Sequence, residues 1–173
     1  LLTFKLGDAL GSAMIKPMLV DQGWSNSALG QLTLISSLAG IVGALLGGLL
    51  YARIGAYRSL LLFGLLQAAG IAGMALLVGA GGDTLSVYSL FEQIADGMST
   101  VALFAVMMSY CRAEHEGADF TLQACVQLLL AGLVGASSGL LAQWLGYSTL
   151  FLLAGLIGLT MLAMVQRHFR QQR

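Results

Sequence analysis

The chain has 173 residues, of which 58% are hydrophobic and only 9% charged, against about 25% charged in an ordinary soluble domain. A water-exposed globule of this size cannot cover its surface with so few charges, so composition points to an all-α polytopic membrane protein. The formal net charge is zero, which offers nucleic acid no basic field. The two cysteines, Cys111 and Cys125, fit neither a metal spacing nor a disulfide framework, and no metal or cofactor is expected.

Six apolar runs reach bilayer length, about 20 residues each. They cover residues 1–20, 29–51, 59–78, 85–111, 120–144 and 147–165. The start, Leu1-Leu2-Thr3-Phe4, opens inside an apolar run with no Met and no basic region. That is the expectation for a fragment cut inside its first helix, with a further half upstream, and it is not a signal peptide. Outside the first run the basic residues are Arg53, Arg58, Arg112, Arg167, Arg170 and Arg173. All fall in the second or fourth connection or in the tail. When six spans alternate, these three places share a side, and that side is cytoplasmic, with the C-terminus inside. Trp24, Trp144 and Tyr147 fall at the outer boundary and Tyr51, Tyr57 and Tyr110 at the inner one, as an aromatic belt requires.

Small residues recur at helical spacing. Gly40, Ala44 and Gly48 share a face of the second run, with Gly43 and Gly47 beside it, and Gly132, Gly135 and Gly139 recur in the fifth. Such residues let helices approach closely in lipid. Two readings stand: static packing, or faces that slide in a conformational cycle.

Charges inside the spans are the informative positions, because a mid-bilayer charge costs several kcal/mol unless it faces protein, water or a partner. The first run holds Lys5, Asp8 and Lys16, and the fourth holds Glu92 and Asp96. Lys5 and Asp8 share a helix face, as do Glu92 and Asp96. At 1.5 Å per residue, Asp8 lies roughly 18 Å below the outer surface, and Glu92 and Asp96 roughly 10 and 16 Å below it. One cluster of Lys5, Asp8, Glu92 and Asp96 near the midplane is therefore expected. It is either a cavity lining that carries a proton or a static salt bridge between two helices. Lys16-Pro17 bends the first helix near its outer end or terminates it. Lys16 either snorkels outward or meets an anionic ligand at the cavity mouth. Gln31, Gln67, Gln93, Gln123 and Gln127 also lie within spans. Gln93, Gln123 and Gln127 are substrate-cavity candidates, although the last two equally suit bonds between helices. The two runs of three helices each begin with a charged helix, which suggests an inverted repeat with a site between its halves.

Enzyme chemistry finds no footing. Gly135-Ala136-Ser137-Ser138-Gly139 matches a hydrolase elbow pattern, but it lies in a span and far from His115 and His168. No Gly precedes a Lys, so there is no phosphate-binding loop.

The second connection reads Gly48-Leu49-Leu50-Tyr51-Ala52-Arg53-Ile54-Gly55-Ala56-Tyr57-Arg58. It resembles the G-x-L-x-D-R-x-G-R-R loop of the major facilitator superfamily in the copy after helix eight. Gly48, Leu50, Arg53 and Gly55 match, Arg58 adds a second positive charge, and Ala52 stands at the Asp position. Phe4-Lys5-Leu6-Gly7-Asp8-Ala9-Leu10 resembles the start of helix seven in AmpG-type muropeptide permeases. Phe91-Glu92-Gln93 through Gly97-Met98-Ser99-Thr100-Val101-Ala102-Leu103 resembles their helix ten. Siderophore importers of the RhtX/FptX type are similar, and Met14 to Asp21 is nearer to theirs.

The resemblance implies that the six spans are helices seven to twelve, the C-terminal half of a major facilitator superfamily fold. It further implies a bacterial inner-membrane secondary transporter working by alternating access, driven by protons moving inward. A siderophore is the first cargo implied and an anhydro-muropeptide the alternative. An exporter, or a signalling or scaffold protein without transport, remains a further alternative. The implied partners are the lipid bilayer, a small-molecule substrate and the N-terminal half of the same transporter.

Overall fold

The computed structural model describes residues 3–79 and 82–171, with side chains as far as Arg167. Expectations resting on Leu1, His168, Arg170 and Arg173 lie outside the described side chains. The elements are α1 (Leu6–Asp21), α2 (Asn26–Ile54), α3 (Ala56–Leu77), α4 (Gly82–Ser109), α5 (Glu116–Leu145) and α6 (Tyr147–Gln171). The described residues contain no strand. Five of the six helices are long and apolar enough to cross a membrane. The exception is α1, whose 16 residues span about 24 Å. Thr3 to Lys5 form a turn, so the first expected span is a shorter helix. It runs on through Pro17 to Asp21, so the proline does not end it.

Several helices outrun their apolar runs because local chemistry sets their ends. The Ser25 hydroxyl accepts the Ala28 N–H at 3.2 Å and caps α2 three residues before its expected start. Gly55 is the sole residue between α2 and α3, and Gly146 the sole residue between α5 and α6. Their backbones match, at φ 79°, ψ 170° and φ 77°, ψ 162°. This region is open essentially to glycine alone.

The packing follows the same symmetry. Helix α1 packs on α5 and α6, α4 packs on α2 and α3, and α3 packs on α6. Exchanging α1 with α4, α2 with α5 and α3 with α6 reproduces that pattern. The ends of the bundle fix the sense of the repeat. Trp24 lies beside Gly82, and the Tyr147 hydroxyl donates to Asp21 Oδ2 at 2.5 Å. The first, third and fifth connections therefore share one end. At the other end the Gln123 amide reaches the Met107 carbonyl at 3.4 Å, and Phe104 meets Phe120 edge-on at 5.8 Å. Gly146 lies at the first end and Gly55 at the second, as an inverted three-plus-three repeat requires.

The helices pack through two apolar clusters stacked along the bundle. One holds Leu10, Met18, Ile71, Met74, Leu150 and Phe151 near the Trp24 end. The other holds Phe4, Leu60, Phe63, Leu103, Val106 and Met107. Close approach of α2 to α4 depends on glycine: Gly97 sits on the Gly40 carbonyl, and Gly43 on the backbone of Ile94. The fifth helix differs from expectation. Gly135 alone approaches a neighbour, with its face on Ala9, while Gly132 and Gly139 have open space around them. Their spacing marks a small-residue face, but α1 covers only its middle.

Candidate functional site

Between the two apolar clusters lies a layer of charge. The Lys5 ammonium forms ion pairs with Asp96, in very short contact, and with Asp8 Oδ2 at 3.6 Å. Lys5 is 6% exposed, so this cation has left water and depends on its two carboxylates. The Asp96 side chain stays about a third exposed, at 32%, and Asp8 15%. The network is thus sealed on the lysine side and open at Asp96.

Two residues outside the expected cluster complete it. The Gln67 amide on α3 donates to Asp96 Oδ1 at 2.9 Å, and the Ser99 hydroxyl donates to Gln67 Oε1 at 2.6 Å. Both are buried. Hydrogen bonds thereby tie α1, α3 and α4 together at one level. Ser99 lies one turn beyond Asp96, a spacing that marks it as a neighbour, whereas Gln67 is one of several span glutamines and its height on α3 is its only signal.

The fourth expected member behaves differently. Glu92 is fully buried, with 0% exposure, and enters no ion pair among the described residues. Its side chain lies over Gly70 on α3, where an added Cβ would stand 3.6 Å from Glu92 Cγ. Glu92 Oε2 accepts the Gln93 amide at 3.0 Å, and Oε1 has no partner. The four expected residues therefore lie together, with Lys5, Asp8 and Asp96 joined as an ion network and Glu92 beside them as a buried acid outside the ion pairs. Four residues apart on α4, both carboxyls face α3, Glu92 over Gly70 and Asp96 onto Gln67, and of the two Asp96 alone pairs with Lys5. Asp8 Oδ1 is likewise buried without a partner, and Asp8 and Gln67 line a narrow void between α1, α3 and α6.

The other candidates fall in three places. Lys16, which is exposed, and Gln93 both line an open pocket between α1, α2 and α4. Gln123 instead bonds to Met107 O on α4 and to Cys111 Sγ just beyond its end, and so joins helices. Gln127 is buried with its Oε1 unpartnered, away from that pocket. In the loop resemblance, Gly55 makes the α2–α3 turn, Gly48 lies near Val101, and Arg53 and Arg58 are exposed. Ala52, at the Asp position, is exposed as well. At the same end Arg112 grips Asp119 through two guanidinium bonds of 2.9 and 2.7 Å. That carboxylate raises the Arg112 pKa above its ordinary value.

The family description Major Facilitator Superfamily matches residues 3–172. The chain belongs to the Major Facilitator Superfamily. The anhydromuropeptide permease of Escherichia coli (strain K12) is 33% identical over 153 residues, 86% of this chain and 31% of that protein. The putative transporter AmpG 1 of Rickettsia prowazekii (strain Madrid E) is 26% identical over 163 residues, 91% of this chain and 36% of that protein. The putative transporter AmpG 4 of Rickettsia conorii is 24% identical over 162 residues. The chain spans about a third of the length of the curated relatives it matches. Membership in the superfamily accounts for the polytopic helical bundle.

Proposed function

We propose that the chain is the C-terminal six-helix half of a proton-coupled importer of the bacterial inner membrane, with its C-terminus inside. The charge layer carries this reading. It lies between two apolar clusters, away from either end, where charges are costly and mark substrate or ion paths. An inverted repeat with a site at its middle is the architecture of secondary transporters. Glu92 is the proposed proton carrier. Burying an uncompensated carboxylate is expensive, and taking up a proton removes that charge. The Lys5–Asp8–Asp96 network is the proposed neighbouring switch, because Asp96 can exchange its ammonium partner for water.

Of the two cargoes that the sequence implies, the anhydro-muropeptide has the better support, since the relatives are named as muropeptide permeases or AmpG transporters. The Met14 to Asp21 stretch alone speaks for a siderophore. The test uses the full-length transporter in proteoliposomes, with labelled anhydro-muropeptide outside. An inward proton gradient is expected to drive accumulation, and collapsing the gradient with an uncoupler to abolish it. Accumulation of a ferric siderophore in place of the muropeptide would move the cargo to the other branch. No gradient-dependent movement of either would favour the scaffold reading.

A further inference from the structure

The open pocket between α1, α2 and α4 is lined by Gln93, the partner of the buried acid, and its lining has a composition of its own. Ile15, Leu29 and Leu32 supply the apolar wall, while Ser12, Lys16, Thr33, Ser36, Ser37, Ser89 and Gln93 supply polar atoms. Several of these hydroxyls are already committed as donors. Ser12 donates to Asp8 O at 2.8 Å, Thr33 to Leu29 O at 2.7 Å, and Ser37 to Thr33 O at 2.9 Å. Their oxygens remain acceptors, which suits a ligand rich in hydroxyl or amide donors.

Two groups in the pocket lack partners. Ser36 is 9% exposed, and its Oγ is buried with no hydrogen bond. That oxygen has essentially no accessible surface, so it lies behind the pocket wall and is not offered to a ligand. Lys16 belongs to none of the ion pairs formed by the described residues. Five residues before the end of α1, it stands about 7 Å inside that end. No Asp or Glu lines the pocket, so it presents one uncompensated positive charge and no negative one.

We propose that this pocket binds a single anionic group of a hydroxyl- or amide-bearing solute, with the Lys16 ammonium as its cation and the Gln93 side-chain oxygen as an acceptor for the solute's own donors. This rests on the transport reading above and names what its site recognises. Gln93 gives the subsite a route to the acid: its Nε2 is held by Glu92 Oε2 at 3.0 Å, leaving Oε1 as the acceptor available to the ligand. A ligand donor on Oε1 fixes the amide plane and with it the hydrogen bond to Glu92.

The same anion chemistry could come from a lipid headgroup, and the test separates the two sources. The full-length protein is reconstituted in phosphatidylcholine vesicles, with or without phosphatidylglycerol. Uptake is measured for anhydro-muropeptide and for the same compound with its peptide carboxylates amidated. Lys16→Ala is expected to raise KM for the acid at least about tenfold, as loss of a charge-assisted bond implies, and to leave KM for the amidated compound within about twofold. Lys16→Arg restores most of the acid's KM. Lys16 is exposed, so loss of folding does not confound the comparison. Equal changes for both compounds, or an effect that appears only with phosphatidylglycerol, would overturn the subsite. If wild type takes up neither compound nor a ferric siderophore, the transport reading fails first and the subsite falls with it; uptake of the siderophore alone keeps the transport reading and overturns the subsite.

Discussion

Lys5→Met in the full-length protein is expected to lower unfolding free energy by about 3 kcal/mol, toward the low end for breaking a buried ion pair. The low end applies because Asp96 keeps 32% of its side chain exposed and recovers part of its hydration. The loss arises less from the missing attraction than from what remains, two carboxylates at one level with no cation. Asp8 already has one buried oxygen without a partner, so it has little to turn to. Neutralising an acid as well tests this directly. Lys5→Met combined with Asp96→Asn is expected to be more stable than Lys5→Met alone, because the amide still accepts from Gln67 while one of the two stranded charges is gone. Chemical unfolding in detergent measures both. A single-variant loss below about 0.5 kcal/mol, the scale of ordinary surface changes, would mean that Lys5 is not the counter-ion of the layer.

Gly97→Ala is expected to cost about 2 kcal/mol, the usual penalty of overpacking. It does so although alanine is the better helix former by about 1 kcal/mol. A Cβ at Gly97 overlaps the Gly40 carbonyl and stands 2.9 Å from Ala44 N, and backbone atoms cannot move aside as a side chain can. Gly47 faces the same limit, 2.6 Å from Met98 Cα. Gly70 is the internal comparison. There a Cβ stands 3.6 Å from Glu92 Cγ, in ordinary contact. Gly70→Ala is therefore expected to be neutral or to gain up to about 1 kcal/mol. Thermal unfolding of the two variants in detergent should rank them in that order, and the reverse order would contradict the close α2–α4 contact.

Height along the bundle was legible in the sequence, and rotation about each helix was not. A fixed rise per residue turns position into depth, so Lys5, Asp8 and Asp96, 91 residues apart at the extremes, could be placed on one level before any contact was known. Rotation needs an amphipathic pattern, and in a membrane bundle both the protein core and the lipid are apolar. That is why the shared face of Glu92 and Asp96 does not say which of them Lys5 meets, and why Gly132 and Gly139 have the spacing of contacts although they face open space. Gln67 was visible as a span glutamine, yet nothing in α3 aims it at Asp96 rather than at a neighbour. Ser36 carried still less signal, since serines are common on small-residue faces and an orphaned hydroxyl is a property of packing. Gly55 and Gly146 show the converse, because a lone glycine between two helices already implies a turn.

Proton movement tied to solute entry is the most direct consequence of a buried proton carrier. With the full-length protein in unenergised vesicles, adding anhydro-muropeptide outside should draw protons inward and alkalinise the medium. Wild type is expected to give that signal and Glu92→Gln to give none. An equal signal from Glu92→Gln, or solute entry by wild type without any proton movement, would contradict the role assigned to the buried acid.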